Sequence, residues 1–160
     1  MSLHNRIVME ILPRFAEKLK EEGLIIGSNR KPFKITRLKG TLPVEVNLLI
    51  NPDRVVILRD GKKVVIEIAN PKDPKRFLGE LEYIHTLYKN EQIALGIVFV
   101  LPPTKAHHKR LSMAAIIDAP FGCISWIPGE GNEDKNYSHL KNMLSAFIHG
   151  RRWRHSSVMG

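Results

Sequence analysis

Two acidic residues, Asp53 and Glu67, have the surroundings expected of a metal-binding pair. Glu67 lies in residues 64–69, an otherwise apolar run that predicts a central strand covered on both faces. An ionised carboxylate there costs on the order of several kcal/mol unless a basic side chain, a proton or a metal ion balances it. Asp53 stands at the entrance to the preceding strand. Two carboxylates at adjacent strand ends suit a divalent cation such as Mg²⁺, which polarises a phosphodiester and lowers the pKa of a bound water.

Whether the two carboxylates converge depends on the turn between their strands. If Asp60-Gly61 is a two-residue turn, Arg54 opposes Glu67, and Asp53 faces the other side of the sheet. Convergence requires a three-residue loop, a bulge, or a position of Asp53 beyond the regular strand. Two structural alternatives stay open at this point. Asp53 caps a turn, or Glu67 forms an ion pair with Arg54 across the hairpin.

The elements that position this pair follow from the hydrophobic pattern. A helical stripe over residues 9–22 contains Pro13, which predicts a kink or a helix start near that residue. The basic segment 27–40 has no strong period and is interpreted as a loop or an irregular edge strand. Two β-branched runs joined through Asp60-Gly61 predict a hairpin. The predicted order is α-β-β-β-α-β, with helices over 9–22 and 73–90 and strands over 44–50, 54–59, 63–69 and 93–101.

The second half of the chain has a weaker pattern. It predicts a helix over residues 105–117, a strand over 123–127 and a helix over 134–149. Residues 150–160 are predicted to form a basic, flexible tail. Because no internal repeat interrupts the chain, we predict a single domain over residues 1–149, with a core over about 5–101 and an extension over 104–149.

Pro52-Asp53, thirteen further residues and then Glu67-Ile68-Ala69 resemble the PD-(D/E)XK motif of restriction-endonuclease-like nucleases. The predicted element order is similar to that superfamily's core, and archaeal Holliday-junction resolvases look most alike. The resemblance covers about residues 5–101 and implies an α/β fold with a restriction endonuclease-like αβββαβ core, to which the second half of the chain adds a C-terminal α/β extension. It also implies a Mg²⁺- or Mn²⁺-dependent endodeoxyribonuclease in which Asp53 and Glu67 bind the metal. An acidic residue of the first helix often completes the family's site, and Glu10 matches it better than Glu17.

One residue departs from the family motif. The family has a lysine two residues after the glutamate, where this sequence has Ala69. That lysine positions the attacking water and stabilises charge on the phosphate. Lys72 and Lys75, before and within the first turn of the next predicted helix, are the candidates to replace it. The departure leaves two interpretations: an active nuclease with a displaced lysine, or a catalytically inactive nuclease fold that binds nucleic acid.

The charge of the chain favours a polyanionic partner. Lysine and arginine total 25 against 16 acidic residues, a formal net charge of +9. Such a field attracts nucleic acid, although a charge that serves only solubility is an alternative. Two basic clusters are candidate phosphate contacts. The alternative for the first is a solvated face, and the alternative for the second is a disordered tail whose charge is incidental. Their members are Lys105, His108, Lys109 and Arg110 in the first cluster and Arg151, Arg152 and Arg154 in the second.

Several classes of protein are disfavoured. A single cysteine, Cys123, allows no intrachain disulfide and argues against a zinc site. No apolar run approaches the roughly 18–20 residues that span a bilayer, so we expect a soluble cytoplasmic protein with no membrane partner. The expected partner is DNA. A homodimer is a further implication of the resemblance, because many such nucleases cut two strands.

Overall fold

Eight strands form a six-stranded sheet and a separate two-stranded ribbon in this computed structural model, which describes residues 1–37, 45–70, 74–102 and 117–158. The strands are β1 (Ile25–Asn29), β2 (Phe33–Arg37), β3 (Glu45–Ile50), β4 (Arg54–Leu58), β5 (Lys63–Ala69), β6 (Leu95–Val100), β7 (Phe121–Ser125) and β8 (His155–Val158). The sheet order is β1-β4-β5-β6-β7-β8, and β2 pairs with β3. The pairs β1–β4 and β4–β5 are antiparallel, and the pairs from β5 to β8 are parallel.

Helices cover both faces of the sheet. They are α1 (Leu3–Arg6), a π-helical turn (Ile7–Ile11), α2 (Leu12–Glu21), α3 (Pro74–Lys89) and α4 (Glu133–Ile148), with a short 3-10 turn (Glu130–Asn132) before α4. The N-terminal helices and α4 pack on one face, and α3 packs on the other. The predicted mixed α/β class is therefore confirmed. Among the described residues, no helix is both long and apolar enough to cross a membrane.

Pro13 shapes the N-terminal helix without starting it. The helix begins at Leu3, and the π-helical turn immediately precedes α2, in which Pro13 occupies the first turn. Leu12 donates its backbone N–H to the carbonyl of Ile7, five residues earlier. Because proline has no N–H and its ring crowds the preceding turn, a widened turn accommodates it at a lower cost than a regular helix.

The first strand of the central sheet differs from the prediction. Residues 44–50 were expected to fill that position, but β3 lies in the separate ribbon with β2, and β1 occupies the sheet edge instead. The segment 27–40, interpreted as a loop or an irregular edge strand, contributes the end of β1 and all of β2. Only Ile25 of β1 is buried, because an edge strand has a single neighbour, so its sequence carries little hydrophobic alternation.

The expected flexible tail contains a strand. Residues 150–160 were predicted to be mobile, yet β8 pairs in parallel with β7, from Phe121↔His155 to Ile124↔Val158. Trp153 helps to hold this segment, since its ring lies 5.6 Å from that of Phe147 in an edge-to-face contact. The predicted helix over 105–117 cannot be compared in the same way, because residues 103–116 lie outside the described part of the chain.

The close approach of α3 to the sheet depends on Gly96 of β6. A Cβ atom at this position would lie 2.6 Å from Cγ2 of Ile84, a buried residue of α3. We therefore expect Gly96→Ala to lower the free energy of unfolding by about 1–3 kcal/mol, measured by urea denaturation. Gly79→Ala is the matched control, because no atom lies within 4 Å of a Cβ there. The control should be neutral or stabilise α3 by up to about 1 kcal/mol, and equal losses in both variants would contradict the packing argument.

Candidate functional site

The hairpin between β4 and β5 closes through a three-residue loop, Arg59, Asp60 and Gly61. The N–H of Leu58 donates to the carbonyl of Lys62 at 2.8 Å, and Gly61 has a φ of 87°. A left-handed glycine at the third loop position is typical of hairpins of this length. The register places Arg54 opposite Ile66. The two-residue turn and a directly opposed Arg54–Glu67 ion pair are therefore both excluded.

Asp53 lies opposite Glu67 as a consequence of this register, extended by one residue. Glu67 shares its sheet face with Val65 and Ala69, which pack against the α3 side of the core. Asp53 accepts a hydrogen bond at Oδ2 from the backbone N–H of Ile68, 2.9 Å away, and forms a further hydrogen bond with the Glu67 side chain. The hydrogen bond from Ile68 also has a structural role, because it fixes the Asp53 carboxyl across the end of the hairpin.

The electrostatics of this pair are unfavourable for two negative charges. Burial, and then the neighbouring carboxyl of Asp53, raise the pKa of Glu67 well above its ordinary value. Glu80 of α3, only 9% exposed, adds a smaller effect of the same sign. Without a cation, burial and the Asp53 carboxyl therefore favour the protonated form of Glu67. A cation between the two carboxyls would remove this penalty.

Two side chains near the pair were missed by sequence reasoning. Glu80 lies three residues after Phe77 and four before Ile84, on the apolar stripe of α3, and a charged residue in that stripe was an available signal. His4 of α1 brings Nε2 to 3.7 Å from Oδ2 of Asp53. Its contact arises from tertiary packing between distant segments, and no local pattern in the sequence indicates it.

The other residues expected at the site have different positions. Glu10 is half-exposed, and its carboxylate lies 3.9 Å from Nε of Arg6 in an ion pair along the helix. Lys75 is exposed in the first turn of α3, and Lys72 lies outside the described residues. Ala69, where the family motif has lysine, is 1% exposed within the core.

The two predicted basic clusters do not join the pair in the described residues. Lys105, His108, Lys109 and Arg110 lie outside them. Arg151, Arg152 and Arg154 are exposed next to β8, which is three strands from β5 in the sheet order. They precede His155, which pairs with Phe121 at the end where the parallel strands begin. Glu67 lies in the second half of β5, so this cluster is at the other end of the sheet.

Two other arginines lie at the same end of the sheet as the pair, with their side chains on the opposite face from Glu67. Burial, and then the guanidinium of Arg30, lower the pKa of Arg54 below its ordinary value, although an arginine keeps its charge in proteins. Arg54 directly follows Asp53, and Arg30 directly follows β1, the neighbour of β4. This end of the sheet therefore combines two carboxyls, one histidine and two guanidinium groups.

The residues present fit a divalent metal with two protein ligands. In the part of the chain that is described, no group of three or more histidine, cysteine, aspartate or glutamate side chains is arranged to hold a metal ion. Mg²⁺ needs no such cage, because it keeps several of its waters and binds through one or two carboxylates. Asp53 and Glu67 supply that number, and their mutual repulsion favours a cation between them.

Comparison of the chain with protein-family models, with curated proteins and with solved structures gave no match.

Proposed function

We propose that this protein is a metal-dependent nuclease that acts on DNA phosphodiester bonds, with a restriction endonuclease-like arrangement of β4, β5 and α3 around its site. One observation carries the proposal: the three-residue loop of the hairpin places Asp53 opposite Glu67 on the same face of the sheet. A pair of facing carboxylates at a strand end, in a chain of net charge +9, suits a metal ion that meets a phosphate backbone.

The residues of this chain would hold the metal and orient the substrate. Asp53 and Glu67 bind the ion, and the N–H of Ile68 keeps the Asp53 carboxyl in place. The ion, when bound, polarises the phosphodiester and lowers the pKa of the attacking water. His4, whose Nε2 lies 3.7 Å from Oδ2 of Asp53, would contact the substrate, and Lys75 at the start of α3 would take the place of the motif lysine.

A second function is favoured by Ala69. Its methyl group is 1% exposed within the core on the face that carries Glu67, so no cation projects from this position. A protein that has lost the motif lysine can still bind nucleic acid through its basic surface and act as a binding module or a regulatory subunit. The two functions share the fold and the partner, and they differ in whether a bond is cut.

Incubation with labelled branched, single-stranded and duplex DNA tests the proposal. We expect cleavage in Mg²⁺ or Mn²⁺ and none in EDTA, because the attacking water requires the metal. Binding is measured in EDTA by fluorescence anisotropy over a series of salt concentrations. No cleavage with salt-sensitive binding would replace the nuclease by the binding module. The absence of both would contradict both functions.

A further inference from the structure

The side chains of Ser28 and Arg54 lie on the same face of the β1–β4 pair. Ser28 pairs with Val56, and Arg54 is two residues before Val56 on β4. Because side chains alternate along a strand, all three face the side of the sheet on which α1 and α2 pack, as the position of Val56 in that core confirms. One more step of the register brings Arg30 opposite Arg54, on the same face.

The position of Arg30 is fixed from the helical side. Its Nη1 lies 3.2 Å from Sδ of Met9, in the π-helical turn. Met9 is 58% exposed, so the guanidinium stands at the rim between the end of β1 and the N-terminal helix. The two arginines therefore border one surface, next to Asp53 and on the sheet face opposite to that of Glu67.

Two polar atoms of this surface lack a hydrogen-bond partner. Nε of Arg54 and Oγ of Ser28 are buried and have no hydrogen-bond partner. Among the residues that the structure describes, neither Arg30 nor Arg54 forms an ion pair with a carboxylate, and the charge that acts on Arg54 is the like charge of Arg30. Two neighbouring cations and a buried hydroxyl without acceptors are costly in the free protein, and an anion at this position would remove the cost.

We propose that Arg30, Arg54 and Ser28 form a phosphate-binding subsite at the strand end that carries Asp53, on the opposite face of the sheet from Glu67. A guanidinium group offers paired donors that match phosphate oxygens, and hydrogen bonds between charged groups are stronger than neutral ones. Ser28 adds a neutral donor. The chemistry recognised is a phosphate group, carried either by a nucleic-acid strand or by a small soluble molecule. The nucleic-acid source rests on the proposed function. A nucleic-acid strand bound at Arg54 would pass the start of β4, next to Asp53.

Binding measurements in EDTA test the subsite without any dependence on cleavage. We expect Arg54→Gln and Arg30→Gln each to weaken the binding of labelled DNA by about tenfold at low salt and to reduce the salt slope by about one. Arg59→Gln is the matched control, because it removes the same charge at the other end of β4, in the hairpin loop. If both variants bind DNA as the control does, the subsite does not hold a strand.

Inorganic phosphate, titrated at constant ionic strength, distinguishes the two sources. It should raise the Tm of the wild type and not that of Arg54→Gln. A lost phosphate response with unchanged DNA binding assigns the subsite to a small phosphorylated molecule. If the variant keeps both the phosphate response and normal DNA binding, the proposal is overturned. Arg54→Gln should leave the Tm of the free protein unchanged or raise it, whereas a purely structural arginine would lower it. Exposed Arg30 provides the same test if Arg54→Gln fails to fold.

The outcomes separate this proposal from the proposed nuclease. Weaker DNA binding in the two variants, with no metal-dependent cleavage by the wild type, would keep the subsite and discard the nuclease. Cleavage by the wild type, with DNA binding and phosphate response equal in the variants and the Arg59→Gln control, would keep the nuclease and discard the subsite.

Discussion

Glu67→Gln is expected to lower the metal-dependent cleavage rate by at least about 10²-fold, while binding to DNA in EDTA stays the same or strengthens. Glutamine keeps the shape of the side chain and removes the charge that would hold the metal in the proposed site. Loss of a residue that only orients a metal ligand costs about 10- to 100-fold, so loss of a ligand should cost at least the upper value. Affinity for DNA should not fall, because glutamine places no negative charge near the phosphates. Single-turnover cleavage and anisotropy measure the two effects.

The control for this experiment is Glu82→Gln. Glu82 lies on α3 with an exposed side chain, so the substitution makes the same change in net charge away from the candidate site. It should cleave at the wild-type rate. Equal rates for Glu67→Gln and the wild type would contradict the assignment of Glu67 as a metal ligand. A parallel fall in both variants would indicate that overall charge, rather than the carboxylate pair, controls the reaction.

The hairpin illustrates how far the sequence predicts the site. Asp60-Gly61 between two β-branched runs correctly predicts the hairpin and its strands. Its loop length was left open, because the same dipeptide fits a two-residue turn or the end of a three-residue loop. That single residue decides on which face of the sheet Asp53 lies, since side chains alternate along a strand. The hydrogen bond from the Leu58 N–H to the Lys62 carbonyl settles the point, because it closes a loop of three residues, and it is a property of the folded chain.

Elements with few neighbours were the least predictable from sequence. The buried strands β5 and β6 and the helices α3 and α4 have strong hydrophobic patterns, and all four were predicted within a few residues of their ends. The edge strands β1 and β8 bury little, so Ser156 and Ser157 of β8 resemble a polar tail. Contacts between distant segments, such as that of His4 with Asp53, leave no local pattern at all.

The metal-free protein is expected to lose stability as the pH rises above about 4.5, because the pKa of Glu67 is raised in the folded state. Below the unfolded-state value near 4.5, the carboxyl is protonated in both states and contributes no pH dependence. Above it, the unfolded chain releases the proton and the folded chain retains it. Each pH unit then lowers the free energy of unfolding by up to about 1.4 kcal/mol, until the folded-state pKa is passed.

Urea denaturation of the wild type and Glu67→Gln in EDTA, from pH 4 to pH 9, measures this effect. Glutamine has no proton to release, so the variant should become the more stable protein as the pH rises. The difference between the two curves isolates the ionisation of Glu67, whose pKa is raised by burial and by Asp53. Glu82→Gln should follow the wild type, because its carboxyl is exposed to solvent. A flat difference would mean that neither burial nor the Asp53 carboxyl raises the pKa of Glu67 in the folded protein. Mg²⁺ or Mn²⁺ binds only the deprotonated pair, so added metal should restore the stability of the wild type increasingly at higher pH and leave Glu67→Gln unchanged.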